Sequence, residues 1–230
     1  MMKTALCLLL LGRVAVAAEP PTVAIVYFDY DGKDDELVTL RKGITQMLIT
    51  DLAGGDGYKV VERARLQDAL AELDLASTRK IDASSALKLG KLLQARFVVA
   101  GGYFVMGGTL RLDARIYETE TTKVLKGVGA SGKSDDFFAL EQKLAADVDA
   151  VLLGAAAKAA REPAPKPKPR AALARSARGA VPLKAVVLYA RGLEALDAKD
   201  LARARAHLDE VVKANPDFLL ARHDLSDLAM

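Results

Sequence analysis

Phe97-Val-Val-Ala-Gly-Gly-Tyr-Phe-Val-Met-Gly-Gly-Thr-Leu-Arg-Leu-Asp-Ala-Arg-Ile-Tyr117 decides the architecture of this chain. Its first ten residues, Phe97 to Met106, are apolar on both faces, as in a strand buried within a covered sheet. Gly107-Gly108 then reads as a tight hairpin turn, because a two-residue turn needs positive φ angles that glycine adopts without strain. After the turn the pattern alternates. Leu110, Leu112, Ala114 and Ile116 face one way, while Arg111, Asp113 and Arg115 face the other. A buried strand and a half-buried one, joined by a hairpin, make the centre of a sheet.

Working outward, Thr22 to Phe28 is another strand, apolar on both faces. Asp34 to Leu52 switches to helical spacing, with Leu37, Leu40, Ile44, Met47, Leu48 and Leu52 on one stripe. Gly54-Gly55-Asp56-Gly57 stops that helix, and Tyr58 to Glu62 is a short strand. Ala64 to Leu75 is a helix. Asp82 caps another that buries Ala86, Leu87, Leu89, Gly90 and Leu93. Downstream, Lys123 to Ala130 is a third consecutive strand and Asp135 to Leu153 an amphipathic helix. The order β-α-β-α-α-β-β-β-α predicts an α/β mixed sheet with helices packed on it. From Leu183 onward the spacing is helical to the end of the chain, as a small all-α hairpin.

Met1-Met2-Lys3, the apolar run Thr4–Leu11 and the small residues Ala15, Ala17 and Ala18 have the form of a secretory signal peptide over 1–18. The run is shorter than the ~20 apolar residues that span a bilayer. Export places the mature protein in the periplasm, with peripheral outer-membrane association as a further expectation. Cys7 is the only cysteine of the 230 residues and leaves with the signal, so the mature chain has no disulfide and no thiolate. Charge is unevenly spread. Residues 22–153 carry 17 basic and 20 acidic side chains, net −3, and residues 155–182 carry 7 and 1, net +6. That second segment, rich in proline, alanine and lysine, reads as a solvated linker between an α/β domain over 22–153 and a helical region over 183–230.

Several of these stretches carry a family resemblance. Val23-Ala-Ile-Val-Tyr-Phe28, Gly43-Ile-Thr-Gln-Met-Leu-Ile-Thr-Asp-Leu52 and Tyr58-Lys-Val-Val-Glu-Arg63 resemble the opening of the CsgG-like domain, which is close in fold to the N-terminal domain of TolB. Ala86-Leu-Lys-Leu-Gly90, Gly101, Leu110–Arg115, Glu118–Thr121 and Phe138–Glu141 continue the pattern. The resemblance implies an envelope protein that binds or assembles. Its partners would be envelope proteins, second copies of itself, or both, met through the CsgG-like domain and the C-terminal helices. It implies neither nucleic acid nor an enzyme. The chain lacks the lipobox and the long inserted hairpins of the secretion-pore members, though a subunit of an outer-membrane secretion assembly is an alternative.

The C-terminal segment resembles a tetratricopeptide repeat, a helix-turn-helix with small residues where its helices touch. Pro216 is placed as the closing proline, Gly192 and Ala204 as small contact residues, and Leu208 as the following apolar one. Tyr189, Leu193 and Leu196 belong to the first helix; Leu201, Val211 and Val212 belong to the second. These apolar faces exceed what the helices can cover mutually, and docking on a partner or a second copy is favoured over docking on the α/β domain.

Gly127-Val-Gly-Ala-Ser-Gly-Lys-Ser134 matches the nucleotide-binding G-x-x-x-x-G-K-S pattern, with Lys133 as the phosphate-binding lysine. A P-loop nucleotide-binding protein is therefore the second functional alternative. The charged strand before it and Asp135-Asp136 after it oppose that reading, since acids in a first helical turn repel phosphate. The simpler expectation is an edge strand bent by glycines, with Ser134 capping the last helix. Asp29, Asp31, Asp34 and Asp35 could hold a divalent ion but read more simply as a capping loop. His207 and His223 read as solvated side chains. No catalytic, cofactor-binding or metal-binding residue is expected, and no cofactor.

Overall fold

The computed structural model describes residues 19–75, 78, 80–160, 163–166, 175–177 and 180–229. The signal peptide expected over 1–18 lies outside the described residues, as does much of the expected linker. The strands are β1 (Thr22–Ile25), β2 (Asp29–Tyr30), β3 (Lys59–Val60), β4 (Phe97–Met106), β5 (Thr109–Glu118) and β6 (Val124–Lys133). The helices are α1 (Asp35–Val38), α2 (Leu40–Leu52), α3 (Arg63–Glu72), α4 (Ala83–Leu92), α5 (Phe137–Ala160), α6 (Leu183–Asp197), α7 (Leu201–Ala214) and α8 (Leu219–Asp227).

One mixed sheet runs β3-β1-β4-β5-β6, with β2 continuing β1 along β4. β1 and β2 are parallel to β4, while β4-β5 and β5-β6 are antiparallel. Gly107 and Gly108 take φ of 58° and 76° at the β4-β5 turn, as the hairpin requires. The alternation of the strands sorts side chains onto two layers. Val23, Ile25, Phe97, Val99, Tyr103, Leu110, Leu112 and Ile116 meet α2 and α5 in the larger core. Ala24, Val26, Val98, Ala100 and Tyr117 meet α3 and α4 in the smaller one.

Local chemistry moves some boundaries. The expected helix over 34–52 is two helices. Asp34 caps α1 by accepting from the Glu36 N–H at 3.0 Å. The Tyr103 hydroxyl donates to the carbonyls of Leu37 and Val38, at 2.5 and 3.4 Å, where the helix changes course. Leu37 is consequently only half-buried, whereas Leu40, Ile44, Met47, Leu48 and Leu52 are fully enclosed. α5 runs seven residues past Leu153, because Ala155, Ala156, Ala157, Ala159 and Ala160 are strong helix formers.

The C-terminal helices correct an expectation. Their favoured cover is a partner or a second copy, but their apolar faces pack on the α/β layers of their own chain, against α2. Ala185, Val186, Tyr189, Leu193, Leu208 and Phe218 share one continuous core with the sheet. Burying each large side chain is worth ~1.5–3 kcal/mol, which is ample to hold the arm. Gly43 permits the approach, since a Cβ there would lie 3.0 Å from Val186 Cγ1 and 3.3 Å from the Ala190 Cβ. Gly192 lies against Leu208 where α6 crosses α7, and Ala204 is fully buried. Leu201, placed with the apolar face of the second helix, is instead 59% exposed.

Two polar clasps flank this contact. Asp197 at the end of α6 receives Lys42 Nζ at 2.8 Å, Arg63 Nη1 at 2.5 Å and Gln67 Nε2 at 3.0 Å. Asp51 on α2 receives the N–H groups of Arg175 and Ser176, at 2.8 and 2.6 Å. Part of the segment expected as a solvated linker is therefore held, and Ser176 and Ala177 are fully buried.

Candidate protein-binding surface

The outward-facing residues of β5 lie on the layer that α3 and α4 cover only in part. Where those helices end, the sheet is open as a trough of about 960 Å³ over β4, β5 and β6. Arg111, Asp113 and Arg115 stand in a row along it, one from every second position of β5. Register sets glycines beside them: Gly102 opposite Asp113 on β4, Gly129 opposite Asp113 and Gly127 opposite Arg115 on β6. The result is a charged ridge flanked by glycines over its Asp113–Arg115 half. Gly129 is required there, because a Cβ would sit 2.6 Å from Asp113 Oδ1 and 3.0 Å from the Leu112 carbonyl oxygen.

Arg111 is committed to Asp113, donating from Nε at 2.7 Å and Nη2 at 2.9 Å. The Asp113 carboxylate raises the Arg111 guanidinium above its ordinary value through those hydrogen bonds and its charge. Arg115 has no ion pair among the described residues and remains an available cation. At the rim, Asp29 accepts from the Ile81 N–H at 2.9 and 3.1 Å, which ties β2 to the start of α4. Burial lifts the Asp29 carboxyl above its ordinary value, against the pull of Ile81, Arg41 and Lys80. Phe104 is a half-exposed aromatic side chain on the trough, carried by β4.

The residues singled out in the sequence separate here. The P-loop alternative is overturned. Gly127 to Lys133 is extended and laddered to β5, with Gly127 opposite Arg115 and Gly132 opposite Leu110. A phosphate cradle needs a loop whose N–H groups converge, and a strand directs them alternately to its two edges. Ser134 does not cap a helix either. Its N–H at 2.9 Å and its hydroxyl at 3.1 Å both donate to the Gly108 carbonyl, pinning the β4-β5 turn. The aspartate cluster disperses: Asp29 holds Ile81, Asp34 caps α1, and Asp35 lies in the first turn of α1. Among the described residues no group of three or more His, Cys, Asp or Glu could hold a metal. Asp82 caps α4 through the Ser85 N–H at 2.7 Å. His223 is exposed, 3.6 Å from Asp227.

Residues 19–105 match the family model of the curli production assembly/transport component CsgG. Over those residues the chain is similar to that family. The matched stretch contains β1 to nearly the end of β4, with the helices between them. The C-terminal domain of LpoB from Salmonella enterica is similar at 14% identity, covering 50% of this chain and 83% of that one, with a TM-score of 0.40. Lipoprotein GNA1162 from Neisseria meningitidis is similar at 18% identity, covering 50% and 81%, with a TM-score of 0.39. TolB from Acinetobacter baumannii is similar at 12% identity, covering 60% and 29%, with a TM-score of 0.39. Among curated proteins, none matches the chain by sequence.

The CsgG-like pattern did not point to the trough. Its glycines were visible as the P-loop match, and its charged row as an alternation. What would have joined them is their common period of two, which puts Gly127, Gly129 and Arg115 on one face.

Proposed function

We propose that this protein is a non-enzymatic cell-envelope factor that works by binding or assembling other proteins. The observation that carries the reading is the CsgG family match over residues 19–105, which supply the first four strands of the sheet. The open charged trough supports it. A partner surface needs exposed, sequence-specific relief, and a ridge of alternating charge flanked by glycines provides that. The signal-like start supports export. No helix among the described residues is long and apolar enough to cross a membrane. The basic linker and the repeat-like helical arm would extend the same binding role.

The test has two parts. N-terminal sequencing of the native protein should show cleavage near Ala17 or Ala18. Affinity purification from the envelope fraction should recover a stable partner, and substitution of Arg115 by Glu should weaken its recovery. An uncleaved cytoplasmic protein without stable partners or self-association would sink the proposal.

A further inference from the structure

The two edges of the sheet differ. β3 offers two residues, whereas β6 offers ten without a proline, and no described strand pairs with its outer side, where the Lys143 ammonium donates to the Gly129 carbonyl at 3.4 Å and would have to give way. A groove of about 620 Å³ runs beside this edge, between β6 and the second half of α5. Its floor is apolar, formed by Leu125, Val128, Val151 and Ala155, with Lys126 and Lys158 at its margins. Its one acid, Asp147, is taken by Lys143 at 2.5 Å. Val124 and Leu125 are 53% and 39% exposed, an unusual state for large apolar side chains on a strand. The chain leaving α5 turns the other way, since Pro163 and Pro165 lie near Gly57 and Arg96 on the opposite side of the helix.

We propose that the β6 edge and this groove bind an extended segment of a partner protein, added to the sheet as a further strand and alternating apolar with acidic residues. The inference rests on the envelope-binding reading above. Strand addition takes affinity from main-chain hydrogen bonds and specificity from pockets for alternate side chains. On the α5 side, an added strand meets the apolar floor. On the trough side it meets cations, because Arg115 and Lys133 share the face of Gly127 and Ser131. Arg111, already held by Asp113, contributes little to that field. A second copy fits less well. Antiparallel pairing of β6 with itself keeps like faces together, so Lys133 of one copy would sit beside Gly127 of the other, next to its Arg115, and like charges there are destabilising.

The full chain is titrated with a fluorescein-labelled octapeptide of alternating valine and glutamate, and with the same peptide carrying lysine for glutamate. The acidic peptide should bind, more weakly as salt is raised. The exposed pair of substitutions R115E and K133E, with the unfolding midpoint unchanged, should weaken it about tenfold, while the lysine peptide should not bind. Equal binding of both peptides, or unchanged binding by the double variant, would overturn the proposal. In cells, a photo-crosslinking residue is placed at Leu125 and, separately, at Phe104. An envelope protein captured from Leu125 and lost in the double variant supports the edge. Capture from Phe104 alone overturns the edge and leaves the envelope-binding reading intact. A crosslinked dimer of this chain from Leu125 overturns it in favour of a second copy. No capture at either position counts against both readings.

Discussion

Asp51 and Ser176 join α2 to the C-terminal arm through two hydrogen bonds of their own: the Ser176 N–H donates to Asp51 Oδ1 at 2.6 Å and its hydroxyl to Oδ2 at 3.1 Å. The Arg175 N–H adds a third at 2.8 Å, and Gln142 Nε2 on α5 a fourth. The Ser176 carbonyl in turn accepts from the Leu220 N–H at 2.9 Å. One fully buried serine thus links α2, the segment before α6, and the start of α8. Burial raises the Asp51 carboxyl above its ordinary value, although its four donors pull the other way.

Asp51→Ala should detach this joint. Hydrogen bonds to charged groups contribute about 1.5–3 kcal/mol each, and buried N–H groups left unpaired add a penalty. The expected loss is about 3 kcal/mol of unfolding free energy in urea. Amide exchange should quicken first in α6 to α8 and least in β4. Uniform exchange throughout the chain would show that Asp51 supports the whole fold and not this joint.

Asp197 makes the arm sensitive to acid. Burial alone would raise its carboxyl, but Arg63, Lys42 and Gln67 outweigh that and hold it below its ordinary 3.8. A depressed carboxyl contributes stability that is complete above the unfolded value and lost as pH falls through the lower folded value. Stability should therefore drop below about pH 4 in part through this group. In Asp197→Asn that component should be absent, with a lower plateau at pH 7. Parallel acid profiles for the two proteins would contradict it. Urea titrations at a series of pH values measure it.

Gly101 admits no side chain. A Cβ there would fall onto the Asp113 carbonyl oxygen and 2.5 Å from Phe28 Cε1, inside the larger core. Neither a ladder carbonyl nor an enclosed ring can retreat cheaply. Gly101→Ala should cost about 3 kcal/mol and reduce soluble yield, the upper part of the usual range for overpacking. A thermal melt like that of the wild type would show that the β4-β5 ladder yields more than its packing suggests.

Lys133→Ala should leave the stability of the fold nearly unchanged. Its side chain ends an exposed strand and holds no phosphate cradle. Stability should change by less than about 0.5 kcal/mol, as for surface substitutions in general. A fluorescent ATP analogue should bind neither protein. Saturable binding lost in the variant would restore the nucleotide reading.

The strands and helices were legible because each carries its own period. Phe97–Tyr117 states a buried strand, a glycine turn and an alternating strand in its residues alone, and Asp82 states a cap. Periodicity, however, says only that a face is apolar. It does not say what covers it. The stripe of α6 could have met a partner, and it was Gly43 opposite Val186 and Ala190 that let it meet α2 instead. The same limit applied to Gly127–Ser134, whose letters fit a phosphate loop until the ladder to β5 claimed them. Local sequence determined the elements, the turn and the family pattern, since those depend on neighbours along the chain. Tertiary structure alone decided the docking of the arm, the Asp51–Ser176 joint and the open trough. Those contacts join residues up to 155 positions apart, and close approach across such distances leaves no local period to read.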